Sequence, residues 1–271
     1  MAIGPLKRPV AVWLSTRHID SCALTTQNAV SFTAIMTAML RLDVPERFRQ
    51  NSHMVRAAGY DETALNLMGL MAERLGLADF SQSAILDVGC GTRFSSALLN
   101  HRVPVGSYTG VDVNSDIITF LQENATPLDV RFQYYHWDVR NSMYNTDGEP
   151  MREQQGLPAP GKYDVIWLFS VFTHLNPEDA AAMLFLLRRH VSESGSLVFT
   201  VRLNPEVDRF VDRVANRPLL RAVFSPDYMQ QLIQDNGWKI EGFYEKDPRD
   251  FIRSYFICSP DFSVTPEKPV W

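Results

Sequence analysis

Short apolar runs alternate with amphipathic stretches along most of the chain, an order typical of α/β proteins. Apolar runs at 85–88, 107–113, 130–139, 162–169 and 196–201 predict five strands. The run at 162–169 is almost continuously apolar, as expected for a strand that is buried on both faces. Helices are predicted between the strands, so the expected core is a parallel sheet.

Helix signals occupy the gaps between these runs. Periodic apolar residues predict a helical region between Pro45 and Leu77, and a second helix over 115–123. Asn176 followed by proline is a typical start of a third helix, because asparagine caps free N–H groups and proline suits the first helical position. A fourth helix is predicted from Ser225 to the residue before Gly237.

Three further segments complete the predicted architecture. Residues 140–162 are rich in Asn, Asp, Pro and Gly and predict a long loop leaving the ligand-binding edge of the sheet. We expect this loop to be a lid over a substrate, with a plain surface excursion as the alternative. Apolar spacing predicts an extra helix within 205–222, lining the substrate pocket. Residues 238–244 and 254–258 are expected to be two closing strands.

The turn after the first strand carries the clearest chemical signal. Asp87 is followed by Gly89 and Gly91, and a helix is predicted directly afterwards. Glycine lacks Cβ, so a ligand can approach the backbone, and the helix start adds free N–H groups and partial positive charge. A dinucleotide-binding turn would have a third glycine at Phe94. An ordinary strand-to-helix turn is the alternative, and Cys90 is expected to be a packing residue rather than a nucleophile.

This turn resembles motif I of the class I S-adenosylmethionine (SAM)-dependent methyltransferases, although Arg93 replaces the last glycine of that motif. Asp112 ends the second strand about twenty residues later, where an acid accepts hydrogen bonds from ribose hydroxyls. A helix cap is the alternative role for Asp112. The resemblance implies that Asp138 contacts the adenine amino group and that the backbone N–H of Val139 meets the adenine ring.

The resemblance continues after the fourth strand, at Phe169 to Leu175. His174 is the predicted proton acceptor, because imidazole titrates in the range of a general base. A helix-capping or backbone-bonding role is the alternative for His174. The predicted cofactor-binding residues are Asp87, Gly89, Cys90, Gly91, Asp112, Val113, Asp138, Val139, Phe169 and Ser170.

Together, these segments identify residues 43–260 as a methyltransferase domain. The implied fold is α/β and Rossmann-like, with a seven-stranded, mostly parallel sheet, an antiparallel final strand, and helices on both faces. Residues 1–42 are expected to be a poorly ordered or helical extension, and 261–271 a tail. In this family a helical segment before motif I often covers the cofactor, so residues 47–51 and Tyr60 are candidates for the active site.

The implied reaction is methyl transfer from SAM to a hydroxyl or amine of a small-molecule, sugar or lipid acceptor. An NAD-dependent reductase is one alternative, although the chain lacks the third glycine and a Tyr-x-x-x-Lys pair beside the fourth strand. The second alternative is a non-catalytic protein of the same fold. Only the replacement of the last motif I glycine by Arg93 favours it. The sequence does not indicate the oligomeric state.

The composition bears on the size of the domain, on possible partners and on the cellular compartment. A chain of 271 residues with 45% hydrophobic and 21% charged residues fits one globular α/β domain with additions. The net charge of −5 gives no reason to expect a nucleic-acid partner. The three cysteines lack metal-ligand spacing, so no metal is expected, and they favour the cytoplasm. The apolar stretch at 29–40 is too short to span a membrane, and a transit peptide is an alternative for the N-terminus.

Overall fold

The fold is described from a computed structural model that covers residues 41–49, 55, 59–214, 216–246 and 253–265. The helical extension predicted for residues 1–42 therefore lies outside the described residues, apart from its last two positions. The end of the predicted C-terminal tail, 266–271, lies outside them as well.

A seven-stranded sheet runs through the centre of the fold, in the order β3-β2-β1-β4-β5-β9-β8. Two further strands, β6 and β7, form a separate two-stranded ribbon. The strands are β1 (Phe80–Val88), β2 (Val105–Asp112), β3 (Phe132–His136), β4 (Tyr163–Leu168), β5 (Val191–Thr200), β6 (Phe210–Asp212), β7 (Ala222–Phe224), β8 (Trp238–Tyr244) and β9 (Tyr255–Pro260). The first five strands pair in parallel, whereas β9 lies antiparallel between β5 and β8. The predicted sheet, including its antiparallel final strand, is confirmed.

Helices cover both faces of the sheet. They are α1 (Tyr60–Arg74), α2 (Arg93–Asn100), α3 (Ser115–Asn124), α4 (Pro177–Leu187) and α5 (Pro226–Asp235). The first three share an apolar core with Ile85 and Trp167, and the last two share another with Leu86 and Ile166. Neighbouring strand residues thus point to opposite cores, which explains the continuous apolar runs in the sequence. Among the described residues, none of the helices is long and apolar enough to cross a membrane.

Side-chain caps fix the starts of three helices. The side-chain oxygen of Asn114 accepts the Asp116 and Ile117 amides before α3. Asn176 and Ser225 do the same before α4 and α5, and each is followed by proline. Such caps satisfy N–H groups that have no partner inside the helix. The predicted starts of α4 and α5 are therefore confirmed.

The extra helix predicted within 205–222 is wrong. This part of the chain instead contributes β6 and the first residue of β7, which pair in an antiparallel ribbon. Phe210 lies opposite Phe224, and their ring centroids are 5.0 Å apart. A β-branched valine follows Phe210 and another precedes Phe224, and such side chains favour strands. The helix was predicted from the apolar spacing within 205–222 alone. The partner ring of Phe210 belongs to Phe224, which lies outside that segment.

Other differences concern boundaries. The predicted helical region between Pro45 and Leu77 contains a short 3₁₀ turn at Glu46–Phe48, and α1 begins at Tyr60. The third strand is shorter than predicted and ends at His136. Residues 140–162 form a long connection that holds a 3₁₀ turn at Met151–Glu153, in agreement with the predicted loop.

Candidate active site

A cavity of about 250 Å³ opens where the carboxyl ends of neighbouring strands meet. Its volume is close to the lower end of the range for small-ligand pockets. The cavity brings together seven of the predicted site residues, which lie on four different strand ends: Gly89, Asp112, Val113, Val139, Phe169, Ser170 and His174. The other four predicted residues, Asp87, Cys90, Gly91 and Asp138, are not among its lining residues.

The glycine turn brings bare backbone to the cavity. Gly89 has φ +73°, a left-handed value that other residues rarely adopt. A Cβ added there would lie 2.5 Å from Cγ2 of Val171, so a side chain has no room. The Gly89 and Cys90 amides both donate to the Val111 carbonyl, at 2.8 and 3.1 Å. The turn is therefore fixed against β2 while its backbone faces the cavity.

Asp112 connects the glycine turn to the start of α3. Its carboxylate is buried and accepts the Gly91 amide at 2.9 Å and the Asn114 amide, also at 2.9 Å. Burial raises the pKa of Asp112, and the hydrogen bonds from the Gly91, Asn114 and Val113 amides oppose that rise. Each carboxylate oxygen has more than one acceptor site, so both oxygens retain the capacity to bind a ligand hydroxyl.

Asp87 and Cys90 support the turn from inside the fold. Asp87 accepts a hydrogen bond of 2.5 Å from the Tyr108 hydroxyl, and burial raises its pKa to about 7. Burial also raises the pKa of the Cys90 thiol, which keeps the thiol protonated and unreactive. This position agrees with the predicted packing role of Cys90. Cofactor contact by either residue stays a prediction.

In the segment after β3, polar groups form hydrogen bonds with one another. Asp138 is exposed and accepts a 2.9 Å hydrogen bond from Nδ2 of Asn145. The Val139 amide, predicted to meet the adenine ring, donates to the Trp137 carbonyl at 2.7 Å, while Val139 itself lines the cavity. A ligand that uses the Val139 amide must therefore replace this internal bond.

His174 ends a 3₁₀ turn, Phe172–His174, that follows β4. Its Nδ1 lies 2.9 Å from the Leu219 carbonyl oxygen. Because a carbonyl oxygen can only accept, the proton of the neutral ring is on Nδ1, and Nε2 carries the lone pair. Burial lowers the pKa of His174, and the positive charges of Arg202 and Arg253 lower it further. The ring is therefore neutral at pH 7 and able to accept a proton.

Ser170 occupies a strained backbone position beside His174. Its φ of +66° is unusual for a residue with a Cβ and costs about 1 kcal/mol or more. The Ser170 amide donates to Oγ1 of Thr200 at 2.7 Å, and the Ser170 carbonyl accepts the Thr173 hydroxyl at 2.8 Å. These bonds stabilise the turn that carries His174 into the cavity. Strain of this kind is concentrated at functional sites.

A family model described as a methyltransferase domain matches residues 60–241. The chain belongs to this methyltransferase family. The matched region contains the glycine turn, Asp112 and His174, so it includes the cavity residues that follow the strands. The predicted methyltransferase is confirmed, and the NAD-dependent reductase is no longer a competing assignment.

Solved methyltransferase structures share the fold. Magnesium protoporphyrin IX methyltransferase from Synechocystis PCC 6803, with bound SAM, is 16% identical over 89% of this chain and 100% of that chain, with a TM-score of 0.50. DesVI from Streptomyces venezuelae is 16% identical over 81% of this chain and 100% of that chain, with a TM-score of 0.53. The glycopeptide N-methyltransferase MtfA is 11% identical over 72% and 88% of the two chains, with a TM-score of 0.50. The first of these structures contains bound SAM, and the likeness shows that the chains share a fold.

Several cavity residues of the methyltransferase come from outside the glycine and histidine segments. Arg47 and Arg49 line it, as expected for the segment before α1, whereas residues 50 and 51 lie outside the described residues. Tyr60 is not a lining residue, and its hydroxyl is 2.7 Å from Oγ1 of Thr92. Within the described part of the chain, no group of three or more His, Cys, Asp or Glu side chains could hold a metal ion.

Arg202 and Arg253 lie near His174, with Arg221 near both, and no sequence signal predicted them; none of the three is a lining residue of the cavity. They lie after β5, before β7 and before β9, so no motif or regular spacing links them. The loop between β3 and β4 also contributes unpredicted lining residues, including Arg140, Tyr144 and Met151. The only sequence signal for these was the expectation that the loop covers a substrate.

Proposed function

We propose that this methyltransferase transfers a methyl group from SAM to a hydroxyl or amine of a small-molecule, sugar or lipid acceptor, with His174 as the proton acceptor. The main support is the hydrogen bond between Nδ1 of His174 and the Leu219 carbonyl, which leaves Nε2 unprotonated. His174 lines the same cavity as Gly89 and Asp112. The proposed base and the proposed cofactor site therefore line the same cavity.

The residues around the glycine turn suit SAM. The Gly89 turn leaves its backbone open, Asp112 offers carboxylate oxygens to ribose hydroxyls, and Phe169 offers an aromatic surface. Val113, Val139 and Ser170 complete this proposed cofactor site. When bound, SAM supplies a methyl group attached to a positively charged sulfur. The protein must hold the acceptor in line with that methyl group and remove the acceptor's proton.

His174 is suited to receive that proton. Its lowered pKa keeps Nε2 free at neutral pH, and the Leu219 carbonyl steadies the Nδ1–H while the ring becomes positively charged. The carbonyl also fixes the tautomer and the ring orientation. Proton transfer would run from the acceptor hydroxyl or ammonium to Nε2, so no other base in the cavity is required.

The test begins with a metabolite library screened for release of S-adenosylhomocysteine (SAH). With an acceptor in hand, His174→Ala is expected to lower turnover by roughly 10²-fold, the usual contribution of a general base. SAM affinity should stay near that of the wild type, and the acidic limb of the rate profile, expected below pH 6.5, should vanish.

His101→Ala is the matched control, because His101 is an exposed histidine that follows α2 at the opposite edge of the sheet. Its turnover should equal that of the wild type. If His174→Ala also keeps wild-type turnover, or if it loses SAM binding instead, His174 has a structural role and the proposal fails. SAM binding by the wild type without turnover on any acceptor would favour the non-catalytic alternative.

We also propose a cytoplasmic setting without a nucleic-acid partner. Cys90 and Cys258 are free, buried thiols, which a reducing compartment preserves. The net charge of −5 opposes general attraction to phosphate backbones. Cell fractionation and a gel-shift assay with RNA and DNA test the two statements directly.

A further inference from the structure

Three arginines lie close together near the turn that carries His174. Arg202 donates from Nη1 to the Thr173 carbonyl at 3.0 Å and reaches the Leu220 carbonyl at 3.5 Å. Arg253 donates from Nη1 to Oγ of Ser170 at 2.8 Å. Arg221 is exposed and follows Leu220 directly. Arg202 and Arg253 thus contact the His174 turn, and Arg221 is close enough to repel both of them; the three residues are here called the arginine cluster.

The cluster has no counter-charge within the part of the chain that the structure describes. None of its three members forms an ion pair with a described carboxylate. Elsewhere in the fold, Arg131 lies 2.6 Å from Asp129. Acids are not scarce, since the chain has 31 acidic and 26 basic residues. Most other described arginines also form no ion pair, so the grouping of three arginines is what distinguishes this edge.

Leaving these charges together is energetically costly. Arg202 and Arg253 are half-buried, and burial lowers the pKa of both guanidinium groups. The charge of Arg221 lowers the pKa of each of them further, which shows that the three groups repel one another. Like charges held close together and partly desolvated are stabilised by an anion that binds between them.

The cluster lies toward the β5 and β9 side of the sheet edge, and it meets the proposed cofactor site at Ser170. Gly89, Asp112 and Val139 follow β1, β2 and β3, whereas Arg202 follows β5 and Arg253 precedes β9. In the sheet order, β5 and β9 lie beyond β4, on the other side from β2 and β3. His174 follows β4 and lies between the two halves. An acceptor placed against His174 would extend toward the arginine cluster.

We propose that Arg202, Arg221 and Arg253 bind an oxyanion group, a carboxylate or phosphate, of the methyl acceptor. This inference rests on the proposed function, because it identifies the acceptor side by its distance from the cofactor side. Guanidinium groups bind oxyanions through paired, charge-assisted hydrogen bonds. Among the described lining residues of the cavity, Asp112 is the single acid, against Arg47, Arg49 and Arg140, so the cavity beside the cluster is itself lined by more positive than negative side chains.

Direct anion binding tests the proposal without a known acceptor. SAH-loaded protein is titrated by calorimetry with sodium phosphate, and separately with sodium acetate, against sodium chloride at equal ionic strength. We expect phosphate or acetate to bind where chloride does not, and the two arms identify the preferred oxyanion. Arg253→Gln and Arg221→Gln should each weaken the binding by about tenfold or more, as loss of a charge-assisted bond predicts.

Arg102→Gln is the matched control, because Arg102 is exposed and follows α2 at the opposite edge of the sheet. It removes the same charge, so anion binding should not change. Arg221→Gln guards against misfolding, since Arg221 is exposed and makes no side-chain hydrogen bond to a described residue. Thermal unfolding of each variant confirms an intact fold.

Three results would overturn the proposal. They are the absence of phosphate and acetate binding, equal weakening by Arg102→Gln, and a parallel loss of SAH affinity in the cluster variants, which would assign the arginines to the cofactor. The same titration on ligand-free protein separates this proposal from the proposed function. Anion binding there, combined with no affinity for SAM or SAH, would keep the anion site and reject the methyltransferase reaction.

Discussion

At the scale of single residues, Asp112 joins the backbone of the glycine turn to the proposed ribose site. Asp112→Ala should remove two charge-assisted hydrogen bonds to the ribose, each worth about 1.5–3 kcal/mol. We expect SAM affinity to fall at least about tenfold, measured by calorimetry. Asp116→Ala removes an exposed acid only four positions away and should leave the affinity unchanged. An unchanged dissociation constant for Asp112→Ala would reject the ribose assignment.

Residues at strand ends were predictable from the sequence, whereas the arginine cluster was not. Gly89, Asp112 and His174 each follow or end a parallel strand, and the carboxyl ends of such strands meet at one edge. Arg202 and Arg253 come together because β9 inserts beside β5. That pairing is between distant segments, and no local pattern of charge or polarity encodes it.

At the scale of elements, the misread ribbon of β6 and β7 positions the proposed base. Asp212, the last residue of β6, accepts the Leu219 amide at 2.6 Å. Leu219 has φ +60°, and its carbonyl accepts Nδ1 of His174. In a helix Leu219 would have a negative φ, so its carbonyl would point in a different direction. Short apolar runs do not separate helix from strand, so the two valines that favour strands did not outweigh the helical spacing.

The loop between β3 and β4 gives the element-scale prediction. Arg140 and Tyr144 line the cavity, and the Tyr144 ring meets the His174 ring edge-on at 6.2 Å. If residues 140–162 act as a lid, acceptor together with SAH should slow amide hydrogen exchange there more than SAM alone does. Mass spectrometry of the exchanged peptides measures this, with α5 as the reference segment. Equal exchange in all states would make the loop a plain surface connection.

At the scale of the whole molecule, the buried carboxyl of Asp87 makes stability depend on pH. Its pKa is about 7 in the folded protein because of burial, against an ordinary value of 3.8, and the nearby charge of Asp112 acts in the same direction. Hydrogen bonding from Tyr108 and the charge of Arg93 oppose the rise. Between these two pH values the folded protein keeps a proton that the unfolded chain has released. Stability therefore falls as pH rises from about 4 to 7.

Other buried groups also contribute to the pH dependence of stability. Burial also raises the pKa of Asp112, which adds to the fall in stability with rising pH. Burial lowers the pKa of His174 and His190, so the unfolded chain binds protons first as pH drops below 6.5. The histidines therefore favour the folded state as pH rises toward 6.5. A variant at Asp87 is needed to separate the opposing contributions.

Asp87→Asn provides that separation, because asparagine keeps an oxygen that accepts the Tyr108 hydroxyl but does not titrate. Urea unfolding of the ligand-free protein at several pH values from 4 to 8 gives the free energy of unfolding of each variant. The difference, variant minus wild type, should increase with pH by up to about 4 kcal/mol between pH 4 and 7 and then level off. Asp116→Asn, at an exposed acid, should show no such increase. If the Asp87→Asn and wild-type profiles run parallel, the carboxyl of Asp87 is ionised in the fold across this range, and its proton does not stabilise the protein.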